Sequence, residues 1–180
     1  MSIKWGVLGT GGIAREFTED LITHTEMTVE AVGSRSLDKA NKFREGVKGY
    51  GSYEELVASD VDAIYVATPH PMHAPNTILA LSHGKPVLCE KPFAVNARES
   101  SAMIAEAKKR NLLLVEAMWS RFLPHYRAIR EMIRAGEFGE IISVSADHGQ
   151  NLPLPKYYRL HAPELAGGAL LDLGIYPLSF

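Results

Sequence analysis

The 180-residue chain is 46% hydrophobic and 22% charged, an ordinary globular composition that is long enough for one full domain and part of another. With 19 Lys and Arg against 21 Asp and Glu, the formal net charge is -2, which argues against nucleic-acid and membrane-surface partners. No apolar run approaches the roughly 20 residues that span a bilayer. The single cysteine, Cys89, excludes an intrachain disulfide, so we expect a protein of the reducing cytoplasm with no signal peptide.

The first two thirds of the chain alternate apolar, strand-like runs with amphipathic helical stretches. In chain order these are a strand at 3–8, a helix from the glycine-rich turn with Ile13, Phe17 and Leu21 on one face, a strand at 28–32, a helix capped by Ser36 with Ala40, Phe43 and Val47 on one face, a helix start at 52–55, a strand at 63–67, a helix at 75–83, a strand at 87–89, a helix from about 96 to 110 and a strand at 112–115. Alternating strands and helices imply right-handed crossovers and a parallel sheet covered on both faces. We therefore predict a doubly wound, Rossmann-type α/β domain over residues 1–122.

The organisation changes after this point. We predict a helix at 124–135 closed by Gly136, a strand at 141–146, a loop rich in Pro, Tyr and Gly at 151–168, and a final helix from 168 to 180. A lone strand and a final helix cannot bury a sheet face by themselves. Residues 123–180 are therefore predicted to be the incomplete start of a second domain.

A glycine-rich segment, Gly9-Thr10-Gly11-Gly12-Ile13-Ala14, follows the first strand and opens the first helix. It fits the G-x-G-x-x-[GA] pattern, in which the first glycine makes a tight turn and the second lets the backbone approach a pyrophosphate. The helix N-terminus then offers free N–H groups and positive dipole to that anion. A plain tight turn is the alternative, but the strand–turn–helix context favours dinucleotide binding by residues 9–13.

The end of the second strand indicates which dinucleotide. An NAD-specific site usually places an acid there for the ribose 2′-hydroxyl, whereas this chain has Ser34 and Arg35, with Lys39 one helical turn later. A hydroxyl and two cations suit a 2′-phosphate, so we expect NADP in preference to NAD. Glu30 is a competing acid but lies in mid-strand, and Arg35 and Lys39 could equally be solvated residues of a helix start.

Polar side chains follow three further predicted strands. They are Thr68, Pro69, His70 and His73 after the strand at 63–67, Glu90 and Lys91 after the strand at 87–89, and Trp119 and Arg121 after the strand at 112–115. Carboxyl ends of parallel strands form the ligand crevice of such sheets, so we expect these residues to line the cofactor. Capping histidines and a surface lysine are the alternatives. We expect no metal site, because no thiol or carboxylate cluster accompanies the histidines, and we interpret Cys89 as core filler.

Taken together, these motifs resemble the glucose–fructose oxidoreductase/inositol dehydrogenase family. The resemblance rests on the glycine loop, Ser34-Arg35, Thr68-Pro69 with His73, Glu90-Lys91-Pro92 and the run from Gly167 to Tyr176. Residues 116–122 and Tyr176 are similar to its branch of dimeric dihydrodiol dehydrogenases and NADP-dependent D-xylose dehydrogenases. Many members of the family carry a histidine where this chain has Tyr176.

The resemblance implies an NADP-dependent oxidoreductase that transfers hydride between an aldose or a cyclic diol and the nicotinamide. It implies a catalytic Lys91, a proton-transferring Tyr176 and a neighbouring Asp172. Chemistry agrees, because a nearby ammonium favours the phenolate form of a tyrosine, which then serves as a base. Asp172 and Tyr176 are four residues apart and would share a helix face. The alternative for Tyr176 is a packed helix aromatic.

The resemblance also implies that residues 123–180 begin a substrate and dimerisation domain of the α+β class with an open-faced sheet. We therefore expect a homodimer or higher oligomer of the full-length protein, and the chain by itself need not be active. A non-catalytic dinucleotide sensor of the same fold is the alternative function. Intact Lys91, Asp172 and Tyr176 argue against it, because a sensor has no need of proton-transfer groups.

Overall fold

The computed structural model describes residues 2–154 and 158–180. It divides into two compact units, Met1–Ala117 and Met118–Phe180. The first unit contains a sheet with helices on its faces, and the second is built from short helices joined by irregular segments.

The first unit is built on a six-stranded parallel sheet. Its strands are β1 (Lys4–Leu8), β2 (Thr28–Gly33), β3 (Lys48–Tyr50), β4 (Ala63–Val66), β5 (Val87–Cys89) and β6 (Leu114–Glu116). Their order across the sheet is β3-β2-β1-β4-β5-β6, and every neighbouring pair is parallel. Successive strands are added on one side of β1 up to β3 and on its other side from β4 onwards, so the strand order reverses between β1 and β4. This is the doubly wound order of dinucleotide-binding domains. The predicted fold class is confirmed.

Five helices connect these strands. They are α1 (Gly12–His24), α2 (Leu37–Asn41), α3 (Tyr53–Val57), α4 (His73–Ser82) and α5 (Ala97–Arg110), with a short 3-10 helix at His70–Met72 before α4. Helices on each face cover separate apolar clusters on the two sides of the sheet. All four residues of β4 are buried, as the continuous apolar run at 63–67 predicts for a strand covered on both sides.

Three details of the first unit differ from the sequence prediction. The helix capped by Ser36 ends at Asn41, so Phe43 and Val47 lie outside it. The chain then turns into β3, a three-residue strand that the sequence pattern did not predict. The last strand begins at Leu114 instead of 112, because the N–H of Leu112 still bonds the carbonyl oxygen of Ala107 in the last turn of α5.

Three predicted helix caps are confirmed, the first of them at Ser36, whose Oγ accepts the N–H of Lys39 at 3.4 Å. Ser52 Oγ accepts the N–H of Glu55 at 3.2 Å, and Asn96 Oδ1 accepts the N–H of Glu99 at 3.0 Å. Each bond satisfies one of the backbone donors that the first turn of a helix leaves unpaired.

Asn96→Ala should therefore lower the free energy of unfolding by about 1 kcal/mol, because α5 loses its N-terminal acceptor. The measurement is urea unfolding followed by circular dichroism. Ser101→Ala, at an exposed position within α5, is the matched control and should leave stability unchanged or slightly raised. Equal stability of Asn96→Ala and the unmodified protein would contradict the capping role.

The described residues of the second unit form three α-helices and three helical segments of other types. The α-helices are α6 (Pro124–Arg134), α7 (Tyr158–His161) and α8 (Ile175–Ser179), and the other segments are 3-10 helices at Trp119–Phe122 and Pro163–Leu165 and a π-helical turn at Leu170–Gly174. The predicted helix at 124–135 is confirmed, and the predicted final helix is a π-helical turn that continues into α8. The loop predicted at 151–168 contains α7 and a 3-10 helix, and its residues 155–157 lie outside the described residues.

The strand predicted at 141–146 is wrong. The segment forms no ladder with any other described residue, and Ile142 and Val144 are 83% and 66% exposed. An apolar alternation defines a potential sheet face, but a strand exists only when a second backbone pairs with it. Among the described residues, no helix is both long enough and apolar enough to cross a membrane.

Candidate functional site

The glycine loop begins at Gly9, a position where a side chain would clash with the neighbouring backbone. Gly9 has a φ of +114°, and a Cβ built on it would lie 2.5 Å from the carbonyl oxygen of Ala67. Its N–H donates to the carbonyl oxygen of Gly33 at 2.9 Å. Gly9 therefore closes the turn after β1 against both neighbouring strands, β2 and β4, at their carboxyl ends.

The next two glycines are in a different situation. A Cβ on Gly11 or Gly12 would meet no atom within 4 Å, so the fold itself does not require glycine there. Gly11 caps α1 without any side-chain bond, and the first turn of the helix holds no acidic residue. Thr10 is half-buried and Ile13 is 44% exposed. Open space in front of free N–H groups at a helix N-terminus fits a pyrophosphate that approaches the backbone.

The turn after β2 lies beside this loop, because Gly9 bonds the last residue of β2. Ser34 is buried, with its N–H on the carbonyl oxygen of Tyr50 at 3.1 Å, and its Oγ accepts the N–H of Ser36 at 3.3 Å. Arg35 and Lys39 are exposed. The turn is thus fixed by Ser34 while two cations are presented to solvent at the start of α2.

Tyr53, at the start of α3, was not anticipated from the sequence. Burial raises the pKa of its hydroxyl, and the neighbouring Arg35 guanidinium opposes that rise through its charge and a hydrogen bond. The guanidinium therefore lies beside the tyrosine at the start of α3. Glu30, the competing acid, is exposed in mid-strand.

The turn after β4 is held by buried polar groups. Thr68 is buried, and its Oγ1 accepts from Asn76 Nδ2 at 3.1 Å. Pro69 leads into the short 3-10 helix that contains the buried His70. His73 is 1% exposed, with Nε2 2.8 Å from the carbonyl oxygen of Thr68 and Nδ1 2.8 Å from that of Pro92. While both of these contacts are kept, its ring nitrogens are engaged with the backbone of two turns.

Glu90 occupies a buried position directly after β5. Its Oε1 accepts a hydrogen bond from the Tyr65 hydroxyl group, and its Oε2 accepts one from the N–H of Lys91 at 3.1 Å. Burial raises the pKa of Glu90, while the hydrogen bonds from Tyr65 and Lys91 favour its ionised form and oppose that rise. Burial, with a further contribution from the carboxylate of Glu90, raises the pKa of the Tyr65 hydroxyl strongly. The carboxyl group therefore fixes the backbone at Lys91, which is itself half-buried.

Two residues that support this turn carry no signal in the sequence. Tyr65 belongs to the apolar run of β4, and nothing in that pattern indicates a role for its hydroxyl group. Glu116, the last residue of β6, accepts the N–H of Phe93 at 2.8 Å. Cys89 is completely buried and burial raises the pKa of its thiol to about 12, as expected of a packed, unreactive cysteine.

In the second unit the predicted tyrosine lies within an aromatic group. Trp119 Nε1 donates to Tyr176 Oη at 3.0 Å, and the His148 ring lies with its centroid 4.8 Å from that of Tyr176. Asp172 is buried in the π-helical turn, and Arg121 is exposed in the 3-10 helix that contains Trp119. His148 was not among the predicted residues. π-helical turns frequently mark functional sites.

Within the first unit the structure brings the predicted residues to one edge of the sheet. The glycine loop, the Ser34 turn, the Thr68 turn and the Glu90 turn follow four adjacent strands, β1, β2, β4 and β5, at their carboxyl ends. Trp119, Arg121, Asp172 and Tyr176 belong to the second unit. Among residues 2–154 and 158–180, no three His, Cys, Asp or Glu side chains converge as metal ligands would.

Comparisons with known proteins agree with this geometry. Residues 3–118 match a family model described as an oxidoreductase family with an NAD-binding Rossmann fold, and residues 126–180 match the GFO/IDH/MocA C-terminal domain. A D-xylose 1-dehydrogenase (NADP(+)) from Hypocrea jecorina is 41% identical over 203 residues, which cover 99% of this chain and 52% of that protein.

Two further relatives extend the comparison. A trans-1,2-dihydrobenzene-1,2-diol dehydrogenase from Bos taurus is 42% identical over 186 residues, covering 100% of this chain and 55% of the relative. A crystal structure of a 3-ketoreductase from Actinomadura kijaniata in complex with NADP and TDP-benzene superposes with a TM-score of 0.86 at 34% identity, covering 98% of this chain and 55% of that one. The chain thus spans about half the length of the curated relatives it matches.

Proposed function

Since this chain belongs to the GFO/IDH/MocA oxidoreductase family, we propose that the full-length protein is an NADP-dependent dehydrogenase. It would transfer a hydride between the nicotinamide and a CH–OH group of an aldose or a cyclic diol. The observation that carries this proposal is the glycine cradle at the carboxyl edge of the sheet, with Ser34 and Arg35 instead of an acid at the end of β2. The names of the xylose and dihydrodiol dehydrogenases support the substrate class.

The preference for NADP rests on charge. Arg35 directly precedes the N-cap of α2 and Lys39 lies within this five-residue helix, and both side chains are exposed. Neighbouring cations repel each other unless an anion accompanies them. A 2′-phosphate would supply that anion and accept charge-assisted bonds from both side chains. One relative is an NADP(+)-dependent dehydrogenase and the 3-ketoreductase was crystallised with NADP, and both support the same choice.

Arg35→Ala is expected to weaken NADPH binding by roughly 10- to 100-fold, the equivalent of about 1.5–3 kcal/mol for a lost charge-assisted contact. NADH affinity should stay unchanged, because NADH has no 2′-phosphate. Fluorescence titration with both cofactors measures the effect. Lys42→Ala, an exposed cation just beyond the other end of α2, is the matched control. Equal affinity of the unmodified protein for both cofactors would overturn the preference.

The proposed chemistry divides between cofactor and protein. The bound nicotinamide supplies the hydride acceptor, and the chain supplies proton transfer and orientation. As an alcohol is oxidised its hydroxyl proton must leave, and we assign Tyr176 as the proton-accepting residue. Lys91 would bring positive charge to the reacting oxygen, and Asp172 would orient the proton-transfer groups. Their family positions and the buried supports of the Lys91 backbone favour these roles.

The remaining predicted contacts complete the proposed cofactor site. Gly9, Thr10, Gly11, Gly12 and Ile13 would hold the pyrophosphate. The nicotinamide half would be lined by residues from the three turns that follow β4, β5 and β6, namely Thr68, Pro69, His70, His73, Glu90, Lys91, Trp119 and Arg121. Of these, His73 would act from beneath the surface, because its ring is bonded to backbone carbonyls.

Steady-state production of NADPH by the full-length protein, with a panel of pentoses, hexoses and cyclic diols, tests the function. Turnover of at least one member is expected. Tight NADPH binding with no turnover on any substrate would instead favour a non-catalytic dinucleotide sensor. The measured order of substrates would also separate an aldose from a diol specialist.

We also propose a cytoplasmic homodimer that uses no nucleic-acid or membrane partner. The single, buried cysteine suits a reducing compartment, and the net charge of -2 offers no general attraction to polyanions. The C-terminal-domain match over residues 126–180 supports assembly through the second domain. Sedimentation velocity on the full-length protein would measure the oligomeric state.

A further inference from the structure

His73 makes an unusual pair of contacts for a buried histidine. Its ring is 1% exposed, and each ring nitrogen lies 2.8 Å from a backbone carbonyl oxygen, one of Thr68 and one of Pro92. Both distances are typical of good hydrogen bonds. The two carbonyl groups belong to different turns, one after β4 and one after β5, so the ring connects two parts of the candidate site.

The chemistry of imidazole limits how both contacts can form. A neutral imidazole has one N–H donor and one acceptor nitrogen, whereas the imidazolium form has two donors. A carbonyl oxygen only accepts. In the neutral form one nitrogen lone pair would therefore face a carbonyl oxygen at 2.8 Å in a buried position, and two lone pairs at that distance repel each other.

We propose that His73 is a buried imidazolium that donates a hydrogen bond from each ring nitrogen, and that these two hydrogen bonds to the backbone position the turn that carries Lys91. Pro92, whose oxygen it holds, directly follows Lys91. Thr68, whose oxygen it also holds, ends the neighbouring strand. The ring therefore fixes the distance between the two turns that flank the proposed nicotinamide site.

Ionisable groups of both signs lie at these two turns. The His70 ring lies 5.6 Å away, centroid to centroid. From the β5 side come Glu90, whose carboxyl group bonds the N–H of Lys91, and Lys91 itself. From β6 comes Glu116, which bonds the N–H of Phe93. Two carboxylates thus border the turn whose Pro92 oxygen the ring contacts.

These carboxylates also complete the support of the turn. Glu90 accepts the N–H of Lys91, His73 donates to the oxygen of Pro92, and Glu116 accepts the N–H of Phe93. Three consecutive residues are therefore held through their backbones by three ionisable side chains. A side chain held this way reaches a reactive position with little freedom to move, and small misplacements of such groups are costly in rate.

The protonation state can be measured without any reference to activity. In the full-length protein labelled with ¹⁵N-histidine, both His73 nitrogens should carry protons at about pH 7, where an unperturbed histidine is mostly neutral. The signal is assigned with His73→Gln, or by nuclear Overhauser contacts to Thr68 and Pro92 if that variant does not fold. A His73 ring with one unprotonated nitrogen at this pH would overturn the proposal.

The positioning role has a separate readout and rests on the proposed function of Lys91. The side chain of Gln in His73→Gln can donate to only one of the two carbonyl oxygens. We therefore expect kcat to fall about 10- to 100-fold, whereas the Kd for NADPH should change by no more than about 3-fold. His83→Gln, at an exposed position after α4, is the matched control. An unchanged kcat in a folded His73→Gln protein would overturn the positioning role, whereas an inactive unmodified protein with a doubly protonated ring would contradict only the proposed function.

Discussion

Tyr176→Phe in the full-length protein is expected to lower kcat by about 10²- to 10⁴-fold, the usual loss when a general base is removed. The substitution deletes one hydroxyl group, and with it the acceptor for Trp119 Nε1. Affinity for NADPH should stay nearly unchanged, because the substitution removes one hydroxyl group and leaves the glycine cradle intact. The measurements are kcat with a good sugar or diol substrate and cofactor Kd by fluorescence.

Lys91→Met should produce a loss of similar size, since it removes positive charge from the same proton transfer. If the two residues act on one proton, the double variant should be hardly slower than either single variant. Tyr126→Phe and Lys108→Met are matched controls outside the proposed site. Near-normal turnover of Tyr176→Phe would place the base elsewhere, with His70 and His161 as the next candidates, and Tyr176 would then be a packed helix aromatic.

Gly9→Ala and Gly11→Val should fail in opposite ways. In Gly9→Ala the new Cβ would lie 2.5 Å from the oxygen of Ala67 at a φ of +114°, so the loop must shift. We expect the free energy of unfolding to fall by about 3 kcal/mol, from the sum of the backbone and overpacking costs. In Gly11→Val no protein atom obstructs the Cβ, so the fold should survive and dinucleotide affinity should fall by about 100-fold or more.

Circular dichroism with urea unfolding and calorimetric titration of NADPH separate the two effects. Ala105→Val, at an exposed position of α5, controls for the branched side chain itself. Retained affinity in a folded Gly11→Val protein would mean that the loop is only a turn. A Gly9→Ala protein as stable as the unmodified one would mean that the turn adapts without cost.

Much of the first unit follows from local sequence. The run at 63–67 is apolar without interruption because β4 is covered on both sides, and Ser52 and Asn96 cap helices because their side chains accept the N–H three residues on. These signals depend on nearby residues. The strand β3 gave no signal, because three residues with one glycine show no periodicity and pair only through contacts with β2.

The same limit applies to the site. Gly9, Gly11 and Lys91 belong to motifs and could be predicted, whereas Tyr65 and Glu116 act through partners 25 and 23 residues away. Residues 141–146 show the opposite case. Their apolar pattern predicts a strand, but no described segment pairs with them. Patterns in sequence define what a segment can do, and distant partners decide whether it does.

The π-helical turn at Leu170–Gly174 determines how the residues of α8 are rotated about the helix axis. A π turn closes its hydrogen bonds one residue later than an α turn, and each residue of an α-helix advances the direction of the side chains by about 100°. Deletion of one residue from this turn would restore α-helical bonding and swing the Tyr176 ring by about 100° around the axis, with little change in helix length. The number of residues in this turn therefore sets the direction in which the Tyr176 phenol points.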